Sequence, residues 1–114
     1  MILGCGVDLI EVGRFEREIS RRGTGLVEEV FAASELPWCR RRRRPAEGYA
    51  MGYAAKEALF KALGTGKVGR MAWSDVEVWW PEGASRPTVT LAGESAAVGA
   101  AMGVAAVHLS LATT

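Results

Sequence analysis

Two acidic residues stand where a carboxylate invites a chemical explanation. Asp8 closes the apolar run ILGCGVDL, and Glu57 lies within YAAKEALFKALGTG, between Lys56 and Lys61. A charge at the end of an apolar strand is costly unless a partner or ligand compensates it. Asp8 therefore reads either as a helix N-cap or an arginine partner, or as a ligand group. Glu57 is one helical turn from both Tyr53 and Lys61. It reads either as an i,i+4 pair with Lys61, worth about 0.3 kcal/mol, or as a second ligand. The surroundings favour the second reading: Lys56, Lys61 and Lys67 flank it, while Ala54, Ala55, Ala58 and Ala62 keep the helix slim. Two hard oxygen ligands on separate elements, with lysines close by, suit Mg²⁺ bridging to a substrate phosphate. The stretch Gly64 to Lys67, GTGK, is a helix end with a turn and lacks the full Walker spacing, so no P-loop is indicated. His108, beside Ser110 on the polar side of an alternating run, reads as a structural histidine or a phosphate contact.

The elements that must position these groups follow from periodicity. Residues 2 to 9 read as a strand with Cys5 in the core. In EVGRFEREISRR, Val12, Phe15 and Ile19 recur at helical spacing, with Arg14, Arg17 and Arg21 on the opposite side. The stretch Gly23 to Gly25 ends that helix, LVEEVF resumes a short helical segment, and Ser34 is a candidate cap before Pro37. The run Arg40 to Arg44 reads as an exposed loop, since adjacent like charges repel. A long helix is expected from about Glu47 to Leu63, with Gly64 closing it. SDVEVWW alternates and, with TVTLA, predicts a β-hairpin that sets Val76, Val78 and Trp80 on one face. GESAAVGAAMG predicts a small-residue helix, and VAAVHLSLA a final strand. The order is that of a single α+β domain over residues 1–114.

Composition narrows the function classes. At 114 residues, with 49% hydrophobic and 24% charged residues, the chain builds one core and is not disordered. The net charge of +1 selects no partner. The arginines have few interleaved aromatics, which weighs against nucleic acid, and a single basic helix stripe fits an acidic protein better. No apolar run approaches the roughly 18 to 20 residues of a membrane helix. MILGC ends like a lipoprotein box, but no basic segment or long apolar core precedes Cys5, so the expectation is a cytoplasmic protein with two reduced thiols, Cys5 and Cys39.

Taken together, GVDLIEVGRF, YAAKEALFKALGTG and VHLSL resemble the signature segments of the small holo-acyl-carrier-protein synthases, the AcpS-type 4'-phosphopantetheinyl transferases. Tyr53, Lys56, Glu57 and Lys61 reproduce the spacing of the second motif. The resemblance implies the family's fold, a small antiparallel sheet packed with a long central helix. It implies transfer of the 4'-phosphopantetheine arm of coenzyme A to a serine of an apo acyl carrier protein, releasing adenosine 3',5'-bisphosphate, in fatty acid or polyketide synthesis. It places Mg²⁺ on Asp8 and Glu57, with Glu57 open to a second role as base. It assigns Lys61 to the pyrophosphate, and Lys56, Lys61, Gly64, Thr65, Gly66 and His108 to coenzyme A. Arg14, Arg17 and Arg21 would meet the carrier protein's acidic helix, and the assembly would be a homotrimer with active sites between subunits.

The sequence departs from the family pattern twice. Gly52 stands where many members carry an arginine, and the chain reads HLSLATT where members continue through a second histidine or acidic residue, here Thr113, into one more strand. The fold expected is thus one with the last strand missing. The alternative function these departures raise is a shortened, non-catalytic member that binds coenzyme A or a carrier protein.

Overall fold

The long helix (α4, Pro45–Ala62) is the element on which the others pack. Proline occupies its first position, where a missing N–H costs nothing, and Glu47 in the first turn and Lys61 in the last complement the helix dipole. Gly64 follows at φ 81°, the left-handed conformation that releases the chain from the helix. The structure, a computed structural model, describes residues 1–113, and for Thr24 the backbone alone.

Before α4 come α1 (Val12–Arg22), α2 (Thr24–Val30), a 3₁₀ turn (Ala33–Glu35) and α3 (Leu36–Arg40). After it come a second 3₁₀ turn (Trp73–Asp75), β1 (Val76–Trp79), β2 (Thr88–Leu91) and α5 (Gly93–Met102). β1 and β2 form an antiparallel pair with Val76 opposite Leu91 and Trp79 opposite Thr88. Val76 and Val78 are fully buried while Trp79 is exposed, as the alternation predicts.

The core joins α1, α3, α4 and the hairpin. Phe15 of α1 packs its ring 5.2 Å from Tyr53, which lies 4.9 Å from Trp73. Phe60 and Trp38 are buried, and burying a side chain of this size stabilises by about 1.5–3 kcal/mol. The indole Nε1 of Trp38 donates to the Val78 carbonyl oxygen at 2.8 Å, so this burial leaves no polar atom unpaired. At Gly48 a Cβ would collide with the Cys39 carbonyl, so glycine is what lets α3 seat on α4.

Two expected strands are absent. Among the described residues, 2 to 9 and 104 to 113 join no ladder, and the sheet is made of β1 and β2. The N-terminal segment instead lies flat on α4: a Cβ at Gly4 would strike the Ala62 carbonyl, and one at Gly6 the Ala58 carbonyl. The C-terminal run keeps its predicted alternation, with Val107, Leu109 and Leu111 half-buried against the core and His108 and Ser110 exposed. Periodicity correctly assigns the faces here, but a strand also needs a neighbour to hydrogen-bond with, and the single chain supplies none. Thr113 is exposed and Thr114 lies outside the described residues.

Cys5 is exposed, a correction to its expected place in the core that follows from the same lack of a covering strand. Cys39 is buried, and desolvation, reinforced by the Glu35 carboxylate, pushes its thiol up to about 12 from 9.0. A raised thiol favours the folded state below its ordinary pKa, and that contribution is lost as pH rises through about 12. Cys39 is therefore expected to resist alkylation in the native protein even at pH values that ionise ordinary cysteine, and to react once the chain unfolds, as intact mass will show.

The arginine run is largely engaged. Arg40 closes α3 and bonds the Tyr49 hydroxyl at 3.1 Å, Arg41 donates to the Trp80 carbonyl, Arg42 pairs with Glu47, and Arg44 reaches Glu16 of α1 at 2.9 Å. These bonds fasten the α3–α4 turn to its neighbours. Ser34, the expected cap, instead donates its hydroxyl to Glu77 at 3.0 Å.

Candidate active site

Asp8 and Lys61, separated by most of the N-terminal half of the chain, meet on the outer face of α4. The Lys61 ammonium donates to Asp8 Oδ1 at 2.8 Å and to the Val7 carbonyl oxygen at 3.2 Å. The small side chains beneath make this approach possible. With glycine at 4 and 6 above alanine at 58 and 62, segment and helix touch backbone to backbone, and Asp8 is delivered at the level of Lys61.

Glu57, one turn before Lys61, shares this neighbourhood. The Tyr53 phenol is pushed up to about 12, first by burial, then by the Glu57 carboxylate beside it and by Asp8 further off. Lys61 in turn is held above its ordinary lysine value, chiefly by its hydrogen bond to Asp8, with Glu57 also contributing. Asp8 and Lys61 are thus in contact, and the Glu57 carboxylate acts on both Lys61 and Tyr53. Among the described residues no group of three or more acidic, histidine or cysteine side chains gathers, and the carboxylates that could hold a metal ion here are Asp8 and Glu57. Their chemistry fits Mg²⁺: both offer hard oxygens, from separate segments, and a cation, the Lys61 ammonium, already stands against Asp8.

Gly64, Thr65 and Gly66 form the turn just beyond, with Gly64 and Gly66 at positive φ and Thr65 exposed. The turn is closed by the Gly66 N–H donating to the Phe60 carbonyl at 3.1 Å, and the Thr65 hydroxyl donates to the Gly66 carbonyl at 2.8 Å.

Lys56 does not join them. Assigned to coenzyme A by the resemblance, it is instead fully buried. Its ammonium donates to Glu35 Oε1 at 2.8 Å and to the carbonyls of Trp73 at 3.0 Å and Val76 at 2.6 Å, which uses all its protons. Glu35 is as deeply buried and also accepts from the Ala32 and Val78 amides. Burial holds the Lys56 ammonium below the usual lysine range against the opposing pull of Glu35. Glu35 was not legible as a functional residue; its sole sequence signal is an acid at the third position of the 3₁₀ turn, where it accepts from the Ala32 N–H.

Gly52 also has a local explanation. A Cβ there would lie 2.5 Å from the Phe31 ring and 3.3 Å from Trp38, so aromatic side chains fill the space that a larger residue would take. His108 is exposed at an open apolar cavity of about 640 Å³, between the N-terminal segment, the alanine face of α4 and the C-terminal run. It is not part of the Asp8–Lys61 cluster within the single chain. Arg14, Arg17 and Arg21 are exposed along α1; Arg17 lies 3.9 Å from Glu11 and Arg21 is hydrogen-bonded to Glu18.

A family model described as the 4'-phosphopantetheinyl transferase superfamily matches residues 4–106. The chain belongs to that family. A holo-[acyl-carrier-protein] synthase from Desulforudis audaxviator is 47% identical over 111 residues, covering 97% of this chain and 83% of the relative. Among solved structures, holo-[acyl-carrier-protein] synthase from Neisseria meningitidis matches with TM-score 0.80 at 24% identity, over 93% of this chain and 84% of that one, which shows the transferase fold. The Helicobacter pylori enzyme, solved in complex with coenzyme A, matches with TM-score 0.69 at 26% identity over 87% of this chain and 80% of that one. The α+β architecture expected of this transferase family is thus the one observed. No helix among the described residues of this family member is long and apolar enough to cross a membrane.

Proposed function

We propose that this transferase moves the 4'-phosphopantetheine arm of coenzyme A to a serine hydroxyl of an apo acyl carrier protein, with Mg²⁺, leaving adenosine 3',5'-bisphosphate. The observation that carries the reading is the contact between Lys61 and Asp8, with Glu57 one helical turn before Lys61 and the Gly64–Gly66 turn just after it in the chain. The coenzyme A complex of the Helicobacter pylori relative supports the choice of co-substrate.

In this reading Asp8 and Glu57 hold the cation, which when bound neutralises the charge of the pyrophosphate. Lys61 places a second positive charge where the bridging oxygen gains electron density as the bond to phosphorus breaks. The serine oxygen attacks in line while its proton passes to a base, for which Glu57 is the carboxylate at hand. The turn presents its backbone to the phosphates, in a shape that the positive φ values of Gly64 and Gly66 allow.

The homotrimer is part of this proposal. Met1, Ile2, Leu3, Val7 and Leu9 are exposed apolar side chains on an N-terminal segment without a ladder, beside the apolar cavity that His108 borders. A face of this kind favours burial against another subunit, and would let His108 reach coenzyme A bound at a neighbour's site. Arg14, Arg17 and Arg21 would then receive the acidic surface of the carrier protein.

Incubation with coenzyme A, Mg²⁺ and apo acyl carrier protein should add one phosphopantetheine to the carrier's intact mass, and chelation should abolish the gain. Coenzyme A binding by folded protein without any mass gain on several carriers would replace transfer with a binding role. A further expectation concerns Gly6→Ala. Its Cβ cannot coexist with the Ala58 carbonyl, so the segment must lift and carry Asp8 with it. A shift of about 1 Å in a reacting group costs on the order of 10²-fold in rate, and kcat should fall accordingly while the unfolding midpoint moves little.

A further inference from the structure

The contact between Lys61 and Asp8 presents a competition. The same carboxylate that would ligate a metal is already occupied by an ammonium, at 2.8 Å, and that ammonium is the one suited to a phosphate. Asp8 is the more enclosed partner, its side chain 15% exposed against 52% for Lys61. A carboxylate so enclosed needs a cation nearby, whereas a lysine that open can turn to another acceptor without being desolvated. Its second bond, to the Val7 carbonyl, is the longer one and holds the same segment.

Resting on the functional reading above, we infer that Lys61 is the resident counter-ion of Asp8 in the free protein, and that an entering divalent cation displaces it toward the phosphate of the nucleotide co-substrate. Displacement keeps the N-terminal segment fastened to α4. The link between Asp8 and Lys61 would be replaced by one between Asp8 and Glu57 through the cation, and Glu57 and Lys61 stand one turn apart on the same helix, α4. Because Lys61 is the last basic residue of α4 and the glycine turn begins only residues later, the released ammonium is already at the phosphate end of the site. The exchange makes cation and nucleotide help each other: either one relieves a cost that the other would otherwise meet.

The test is Mg²⁺ binding, with no transfer required. The full chain, Lys61→Met and Lys67→Met are titrated with Mg²⁺ alone by calorimetry. Lys67 is a fair control, since its ammonium lies over the Trp73 ring at 5.4 Å and removing it deletes the same charge from the chain. Lys61→Met should bind Mg²⁺ about fivefold more tightly than the unsubstituted chain, the scale of an ion pair removed from competition, and Lys67→Met should change affinity less than about twofold. With adenosine 3',5'-bisphosphate present, the difference between the unsubstituted chain and Lys61→Met should close, because the nucleotide has already drawn Lys61 away. Lys61→Gln should repeat the Lys61→Met result. Equal affinities for the unsubstituted chain and Lys61→Met, equal tightening by Lys67→Met, or a difference that persists with nucleotide would each overturn the exchange while leaving the metal site standing. Absence of Mg²⁺ binding in every protein would overturn it together with the metal part of the proposed function.

Discussion

Glu35→Ala is expected to lower the stability of the chain by about 3–5 kcal/mol, the cost of leaving one charge of a buried pair alone. Against a total of about 5–15 kcal/mol for a domain of this kind, most of the protein would be close to unfolding. The reason lies in what Glu35 and Lys56 hold. Both are fully buried, and around their 2.8 Å ion pair they bind the amides of Ala32 and Val78 and the carbonyls of Trp73 and Val76. The pair thus joins the 3₁₀ turn before α3, the middle of α4 and the first strand of the hairpin. At a simple buried pair, replacing both partners by apolar residues of similar volume is often neutral or stabilising. Here the double variant Glu35→Leu with Lys56→Met should remain destabilised, because those backbone groups lose their partners at about 1–3 kcal/mol each when nothing replaces them. Urea unfolding of the two variants beside the unsubstituted chain checks this, and full recovery by the double variant would show that the backbone bonds contribute little.

Asp8→Ala and Glu57→Ala should each reduce transfer by roughly 10²–10³-fold, the loss seen when one preorganised stabiliser of developing charge is removed, while leaving the fold intact. Neither side chain belongs to the core: Asp8 lies in the N-terminal segment and Glu57 is half-buried on the outer face of α4. The unfolding midpoint should therefore stay near that of the unsubstituted chain, in contrast to Glu35→Ala. Raised Mg²⁺ should restore part of the rate of a variant that keeps one ligand, and none in the double variant. The carrier's intact mass followed over time gives the rate. A variant that unfolds, or one that transfers at the normal rate, would remove its carboxylate from the proposed role.

The two sets of predictions separate neighbours in sequence. Lys56 and Glu57 are adjacent, yet one is sealed in the core and the other faces the site. Successive residues on a helix point about 100° apart, so adjacency in a motif says little about shared environment. The sequence pattern KE identifies both as unusual; which of them is structural depends on the side from which α1, the hairpin and the 3₁₀ turns pack.

Much was legible from local rules. The helix over Pro45–Ala62 with glycine after its end, the amphipathic α1 with its basic outer side, the hairpin at 76–91 and the alternation at 107–111 all follow from periodicity and turn chemistry, and these depend on near neighbours alone. The resemblance of the motif segments was enough to place the chain in its transferase family, and the same segments contain Asp8 and Lys61, which the fold brings into contact. What only the tertiary structure decided are the contacts between distant segments. The Lys61–Asp8 bond, the Glu35–Lys56 pair, the seating of Gly4 and Gly6 on α4 and the exposure of Cys5 are set by which surfaces meet. The terminal runs show the same limit from the other side: their composition suits strands, but a strand exists only when another backbone lies alongside to accept and donate its hydrogen bonds.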